Sequence, residues 1–328
     1  MKRSLFILLA AVALAAGCGQ RSGRSGDAAT AKAAADMRDF PTVKIPDVYS
    51  ETNVRQAYYA EHFWDRFFSE ADGMKCDSVT VCGVPATVFE EVFSTYVILL
   101  QAASLEDGRK ASGALFDKVE ARQLKDPRSN AYEVFNRMME HYLYDPNSPY
   151  RNEDIYRPYL EKLAASSLTD PALVPAYQND ARLCALNTVG TPAADFRFTD
   201  SAGRTRNLYD IKAGTTLLFF SNPGCNACRE IIASIKEIPG ITEKISSGRL
   251  AILNIYIDED LKAWRESLPE YPKDWIVGYD PGQSIRRNQL YNVRGIPSLY
   301  VLDKDKKVLM KDAPEERVLA LLDTIRSE

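Results

Sequence analysis

The chain has 328 residues, 45% of them hydrophobic and 26% charged, with a formal net charge of −4. That length allows two domains, each with its own core, and the charge balance gives no basic footprint for nucleic acid. Only two histidines are present, His62 and His141, so a histidine-built metal centre is excluded, and no metal or other cofactor is expected.

Residues 1–18 read as a secretory signal rather than as part of a fold. Lys2 and Arg3 precede an apolar run from Leu5 to Ala16, shorter than the roughly 20 residues a membrane span needs. The run ends Leu14-Ala15-Ala16-Gly17-Cys18. This resembles the lipobox of bacterial lipoproteins, with the Leu one place further from the Cys than usual. The resemblance implies cleavage before Cys18, lipidation of Cys18 and anchoring in a bilayer. The chain would then be a periplasmic lipoprotein of the cell envelope, on an undetermined membrane. An ordinary signal peptide with an incidental Cys18 is the alternative. Residues 19–40, Gly/Ser-rich and then Ala-rich, read as a flexible tether. Export places the other five cysteines where thiols tend to oxidise, so they must be used or protected.

From 41 to 185 the pattern is helical. Val54, Ala57, Tyr58, Ala60, Phe63, Trp64, Phe67 and Phe68 recur at three- and four-residue spacing, as do Val88, Val92, Tyr96 and Leu99. Two further stripes run through 132–144 and 155–165. Asp107-Gly108, Asp126-Pro127 and Asp145-Pro146-Asn147-Ser148-Pro149 separate these segments. No β-type alternation is visible, so the spacing predicts an all-α bundle of five or six helices.

From 186 to 328 the texture changes. Phe196 and Phe198 alternate before Asp200-Ser201-Ala202-Gly203, which predicts a hairpin. Apolar runs at 217–220, 250–257 and 299–302 suit buried strands, with helical stretches near 226–237, 259–267 and 282–291. A strand at 308–310 follows a turn at 303–306. Pro314 then starts a helix with Val318, Leu321, Leu322 and Ile325 on one face. The predicted fold class is α+β in two domains: a helical bundle, then an α/β unit with a mixed central sheet.

The strand at 217–220 leads into Cys225-Asn226-Ala227-Cys228, and Cys-x-x-Cys at a strand-to-helix junction reads as a redox motif. The first Cys lies at a helix N-terminus, where unpaired N–H groups and the helix dipole favour a thiolate. The second lies about one turn on, close enough to bridge. A zinc knuckle needs a second Cys/His pair at suitable spacing, which the sequence lacks. A merely structural bridge is the other alternative.

The segment Tyr291-Asn292-Val293-Arg294-Gly295-Ile296-Pro297-Ser298-Leu299-Tyr300 closely resembles the cis-proline segment of thioredoxins. With the entry Gly190-Thr191-Pro192-Ala193-Ala194-Asp195-Phe196 and an extra strand–helix stretch before Pro297, residues 186–328 resemble the TlpA/ResA type of membrane-tethered periplasmic thioredoxins. The resemblance implies a thioredoxin fold and thiol–disulfide exchange. Cys225 would be the nucleophile and Cys228 the resolving thiol, forming a redox-active disulfide. A cis Pro297 and Ile296 would receive the substrate backbone. Ile before the proline favours a reductant. Substrates would be disulfides of exported proteins, and a membrane electron donor would re-reduce the pair. Three departures stand out. Phe219 occupies the place of the buried Asp of thioredoxins. Ile231 stands where this branch often has Glu, leaving Glu230, one residue earlier, as a candidate for proton transfer to Cys228. Pro223-Gly224 replaces the Trp usual before the first Cys.

Cys76 and Cys82 bracket a loop between the first two predicted helices. A structural disulfide there would stabilise by about 2 kcal/mol in the chain-entropy model; a second redox pair is the alternative. Cys184 reads as a buried free thiol near the domain junction. The helical part, notably Ser148-Pro149-Tyr150-Arg151-Asn152-Glu153 with Tyr156, resembles an uncharacterised module found ahead of thioredoxin domains in bacterial lipoproteins, which implies no activity. Two rival functions are a peroxiredoxin-like peroxidase and a non-enzymatic lipoprotein. The first needs Thr or Ser where this chain has Asn222. The second would bind a peptide or glycan through the helical part, with the thioredoxin part as scaffold.

Overall fold

The computed structural model describes residues 37–326. The expected signal, Cys18 and the tether up to residue 36 lie outside the described residues. The last residues of the expected tether are packed rather than loose. Arg38 donates to the carbonyls of Cys82 and Phe67 at 2.9 and 2.6 Å, and the Phe40 ring stacks on Phe67.

The N-terminal part is helical: α1 (Thr52–His62), α2 (Asp65–Ser69), α3 (Ala86–Ala102), α4 (Leu105–Lys125), α5 (Ala131–Leu143), α6 (Glu153–Ala165) and α7 (Val174–Cys184). Side-chain caps fix the key starts. Ser104 Oγ accepts the Asp107 N–H at 3.1 Å, and Asn152 Oδ1 accepts the Ile155 N–H at 3.1 Å, satisfying otherwise orphan donors. The core is aromatic. Phe40, Phe67, Phe89, Phe93, Tyr96 and Phe135 all place ring centroids within 5.8 Å of Trp64, each pair adding about 0.5–1.5 kcal/mol beyond area burial. Gly108 lets α3, α4 and α6 approach: a Cβ there would meet the Leu100 carbonyl at 2.8 Å and Ile155 Cδ1 at 3.1 Å.

Three local expectations differ. The first helical stripe breaks at Phe63–Trp64 into α1 and α2, and the described residues of this part hold seven helices rather than five or six. The buried face of α3 is Phe89, Phe93, Tyr96, Val97 and Leu100, while Val88 is exposed; the aromatic rings, not the β-branched residues, set the phase. A short antiparallel ribbon, β1 (Thr80–Val81) with β2 (Val84–Pro85), interrupts the helices. Cys82 and Gly83 turn it with φ of +49° and +83°, the two positive values a tight primed hairpin turn requires.

The C-terminal part is a seven-stranded mixed sheet among the described residues. It contains β3 (Arg197–Asp200), β4 (Thr205–Asn207), β5 (Thr215–Phe220), β6 (Leu250–Tyr256), β7 (Ile276–Tyr279), β8 (Ser298–Asp303) and β9 (Val308–Met310), in the order β4-β3-β7-β6-β5-β8-β9. Strands β5, β6 and β7 are parallel, and β8 lies antiparallel beside β5. Strand alternation divides the core in two. Leu217 and Phe219 face a cluster built with α8 (Asn226–Lys236), α10 (Leu261–Ser267) and α12 (Glu315–Thr324). Leu218 and Phe220 face one built with Phe198, Ile285 and Tyr291. Ile241–Ser246 forms α9 and Ser284–Arg287 forms α11. The fold class therefore agrees with the expectation: a helical part followed by an α/β unit with a mixed sheet.

The two parts meet through a buried ionic junction. Glu153, 2% exposed, pairs with Arg294 at 2.9 Å and Lys311 at 2.8 Å, and accepts from Asn292 Nδ2 at 2.6 Å. Arg151 donates to the carbonyls of Asp312 and Ala313, both at 2.9 Å. Asp154 binds Arg109 at 3.1 Å and the Val189 N–H at 3.0 Å.

Candidate active site

Strand β5 ends at Phe220, and the next four residues redirect the chain into α8. Asn222 donates to Asp258 at 2.6 Å, and Asp258 pairs with Arg286 at 2.6 Å, which pins the loop. Gly224, at φ +75°, makes the final turn that a side chain would strain. Cys225 is the N-cap of α8, and its Sγ accepts the Cys228 N–H at 3.1 Å. The Cys225–Cys228 disulfide spans a Cα–Cα distance of 5.2 Å. Cys225 is half-buried, whereas Cys228 is 2% exposed and sits on the inner face of α8 with Ile231, Ile232 and Ile235. The outer sulfur is therefore the one that a partner can reach.

The loop before β8 faces this pair. The Ile296–Pro297 peptide is cis, and Ile296 packs in the same apolar cluster as Cys225 and Cys228. Ser298 Oγ donates to Asp312 Oδ1 at 2.7 Å, and the Arg294 guanidinium lies over the Tyr144 ring at 4.1 Å, tying both ends of the loop to the junction. Phe219 and Ile231 are buried in that apolar cluster.

The polar group near the strand ends is one that sequence reasoning missed. Asn254 stands in register opposite Phe219. It accepts from Ser221 Oγ at 2.9 Å, while Ser221 lies 3.1 Å from the Tyr271 hydroxyl. Asn254 Nδ2 is buried without a partner among the described residues, and burial pushes the Tyr271 hydroxyl up. The available signal was a lone amide inside the apolar run 250–257.

Other predicted residues fall elsewhere. Glu230 lies on the exposed face of α8, and its carboxylate makes no hydrogen bond among the described residues. Cys76 and Cys82 are free thiols with Sγ atoms 3.9 Å apart, not the bridge the loop length suggested. The turn at Cys82 brings the sulfurs into contact, and each also lies 3.9 Å from Ser129 Oγ. Cys184 is a buried free thiol at the junction, where Lys311 binds its carbonyl at 2.7 Å. His62 pairs with Asp65 at 2.6 Å, and His141 packs beside Tyr142. No helix among the described residues is long and apolar enough to cross a membrane.

Comparison with known proteins covers both parts. Residues 17–179 match a family described as a domain of unknown function, DUF5106, and residues 214–308 match a thioredoxin-like family. A thioredoxin-like protein from Bacteroides caccae superposes with a TM-score of 0.75 at 33% identity, covering 87% of this chain and 98% of that one. The thiol-disulfide oxidoreductase ResA of Bacillus cereus is 28% identical over 131 residues, 39% of this chain and 71% of its own. ResA of Bacillus anthracis is 29% identical over 124 residues, 37% of this chain and 67% of its own. By these matches the chain belongs to the TlpA/ResA-like thioredoxin family, as a thiol–disulfide oxidoreductase that carries a DUF5106 domain ahead of its thioredoxin-like one.

Proposed function

We propose that this oxidoreductase works through Cys225 and Cys228 and reduces disulfides of exported proteins. The observation that carries the reading is the position of Cys225 Sγ at the start of α8, receiving the Cys228 N–H. Once the pair is reduced, that donor and the helix dipole favour the Cys225 thiolate. The thiolate attacks one sulfur of the partner disulfide, and the other partner sulfur leaves as a thiol after taking a proton. Cys228, deprotonated, then attacks the Cys225 sulfur of the mixed disulfide. The second partner thiol is released and Cys225–Cys228 is left oxidised. A membrane electron donor returns two electrons and two protons. Ile296 and the cis Pro297 form the surface against which the partner's backbone lies. Glu230, on the exposed face of α8 two residues after Cys228, is the acid–base candidate.

Cys228→Ser is expected to accumulate covalent adducts with disulfide-bearing proteins that dithiothreitol releases. An absence of adducts while Cys225 still reacts with iodoacetamide defeats the mechanism. Hydrogen peroxide consumption at a comparable rate would favour the peroxidase reading instead.

The residues before 37 supply the location in this reading: an exported chain, cleaved before Cys18 and lipid-anchored there on the periplasmic side. Cys18→Ser should move the protein from the membrane fraction to the soluble one. Unchanged fractionation would remove the anchor from the proposal.

A further inference from the structure

A groove of about 470 Å³ opens beside the disulfide, and its walls come from both parts of the chain. Ala227 and Ile231 of α8, with Ile296 and Pro297, make an apolar floor. The opposite wall is the turn between α5 and α6, where Pro146, Asn147 and Pro149 are exposed. That wall is held in place. Pro146 sits so close to Gly295 that a Cβ added there would meet Pro146 Cβ at 3.2 Å. Arg151, at the end of the turn, is fastened to the Asp312 and Ala313 carbonyls.

The charges around the groove are uneven. Arg151 and Arg294 line it, but their guanidiniums are engaged by Asp312 and Glu153. Glu315 and Glu316, at the start of α12, also line it, and no ion pair among the described residues takes up either carboxylate. The uncompensated charge offered to a ligand is negative. Along the floor, no hydrogen bond among the described residues engages the backbone of Gly295 or Ile296, leaving it open to pair with an extended segment.

We propose that the Pro146–Pro149 turn of the helical part is the second wall of the substrate groove. The groove selects partner proteins in which the disulfide-bearing segment is extended, lays apolar side chains on Ala227, Ile296 and Pro297, and carries Lys or Arg toward Glu315 and Glu316. The helical part thereby sets specificity for the redox part. This inference rests on the reading that Cys225 attacks the partner disulfide.

The test uses the full chain and three probes: hydroxyethyl disulfide, and two disulfide-bridged peptides of equal length that differ only by Lys or Glu beside the cysteine. The wild type is expected to reduce the Lys peptide with kcat/KM about tenfold above the Glu peptide at low salt. The gap should narrow as ionic strength rises. Glu315→Gln with Glu316→Gln should bring the two peptides together, and Asn147→Trp, which fills the groove, should lower the peptide-to-hydroxyethyl disulfide ratio at least tenfold. Equal rates on both peptides overturn the charge selection, and an unchanged ratio in Asn147→Trp overturns the wall. If the wild type reduces none of the three, the exchange reading itself fails, and the inference falls with it.

Discussion

Cys76, Cys82 and Cys184 stand outside the Cys225–Cys228 disulfide, and their surroundings rank them. Contact with the Cys82 sulfur holds the half-buried Cys76 thiol down to about 5. The same contact, with burial, pushes Cys82 up, and burial pushes Cys184 up. Since the thiolate is the nucleophile, iodoacetamide at pH 7 should modify Cys76 at least tenfold faster than the other two in a Cys225→Ser, Cys228→Ser variant, as read by peptide mass spectrometry. Equal labelling would show that the 3.9 Å contact does not persist in solution. The same scale explains what could be read in advance. Cys225, Cys228 and Ile296-Pro297 carry their chemistry in local spacing, so a linear sequence displays it. Asn254 matters because β5–β6 register places it against Phe219, and Glu153 because two cations come to it from more than 140 residues further along the chain. Neither relation is local.

At the scale of elements, period was easier to read than phase or boundary. The helical stripe of α3 was visible, yet the face buried is Phe89–Phe93 rather than Val88–Val92, because three- and four-residue spacing is shared by adjacent stripes on one helix. The expected first helix breaks at Phe63–Trp64 into α1 and α2. Strand β7 and helix α9 are only four and six residues long, too short for a period to show. The expected helix at 282–291 shrinks to Ser284–Arg287, with positive φ at Gln283 and Gln289 on either side. Caps were more local. Asn152 precedes the acidic first turn of α6, Glu153 and Asp154, and its side chain satisfies an otherwise orphan N–H. Asn152→Ala is therefore expected to cost about 1 kcal/mol of stability in urea unfolding. A loss below about 0.3 kcal/mol would mean that water replaces the cap without penalty.

The molecule as a whole is joined by charge taken out of water, and that makes its stability sensitive to pH. Glu153 and Asp312 lie buried among Arg151, Arg294 and Lys311, an arrangement whose desolvation offsets much of its Coulombic gain. Burial pushes the Asp312 carboxyl up to about 6. Glu153 acts in the same direction, while Arg151, the Ser298 hydrogen bond and Arg294 oppose it. An aspartate in an unfolded chain titrates near 3.9, so the folded protein holds this proton more tightly. The resulting contribution is fully present below about pH 4 and is lost as pH rises through 6. The wild type should therefore lose on the order of 2 kcal/mol relative to Asp312→Asn between pH 4 and pH 7. Asparagine keeps an acceptor for Ser298 but carries no titrating proton. Subtracting the two stability–pH curves, each from urea unfolding, cancels the other carboxylates. Parallel curves across that window would mean that Asp312 stays ionised throughout and that the three cations outweigh its burial.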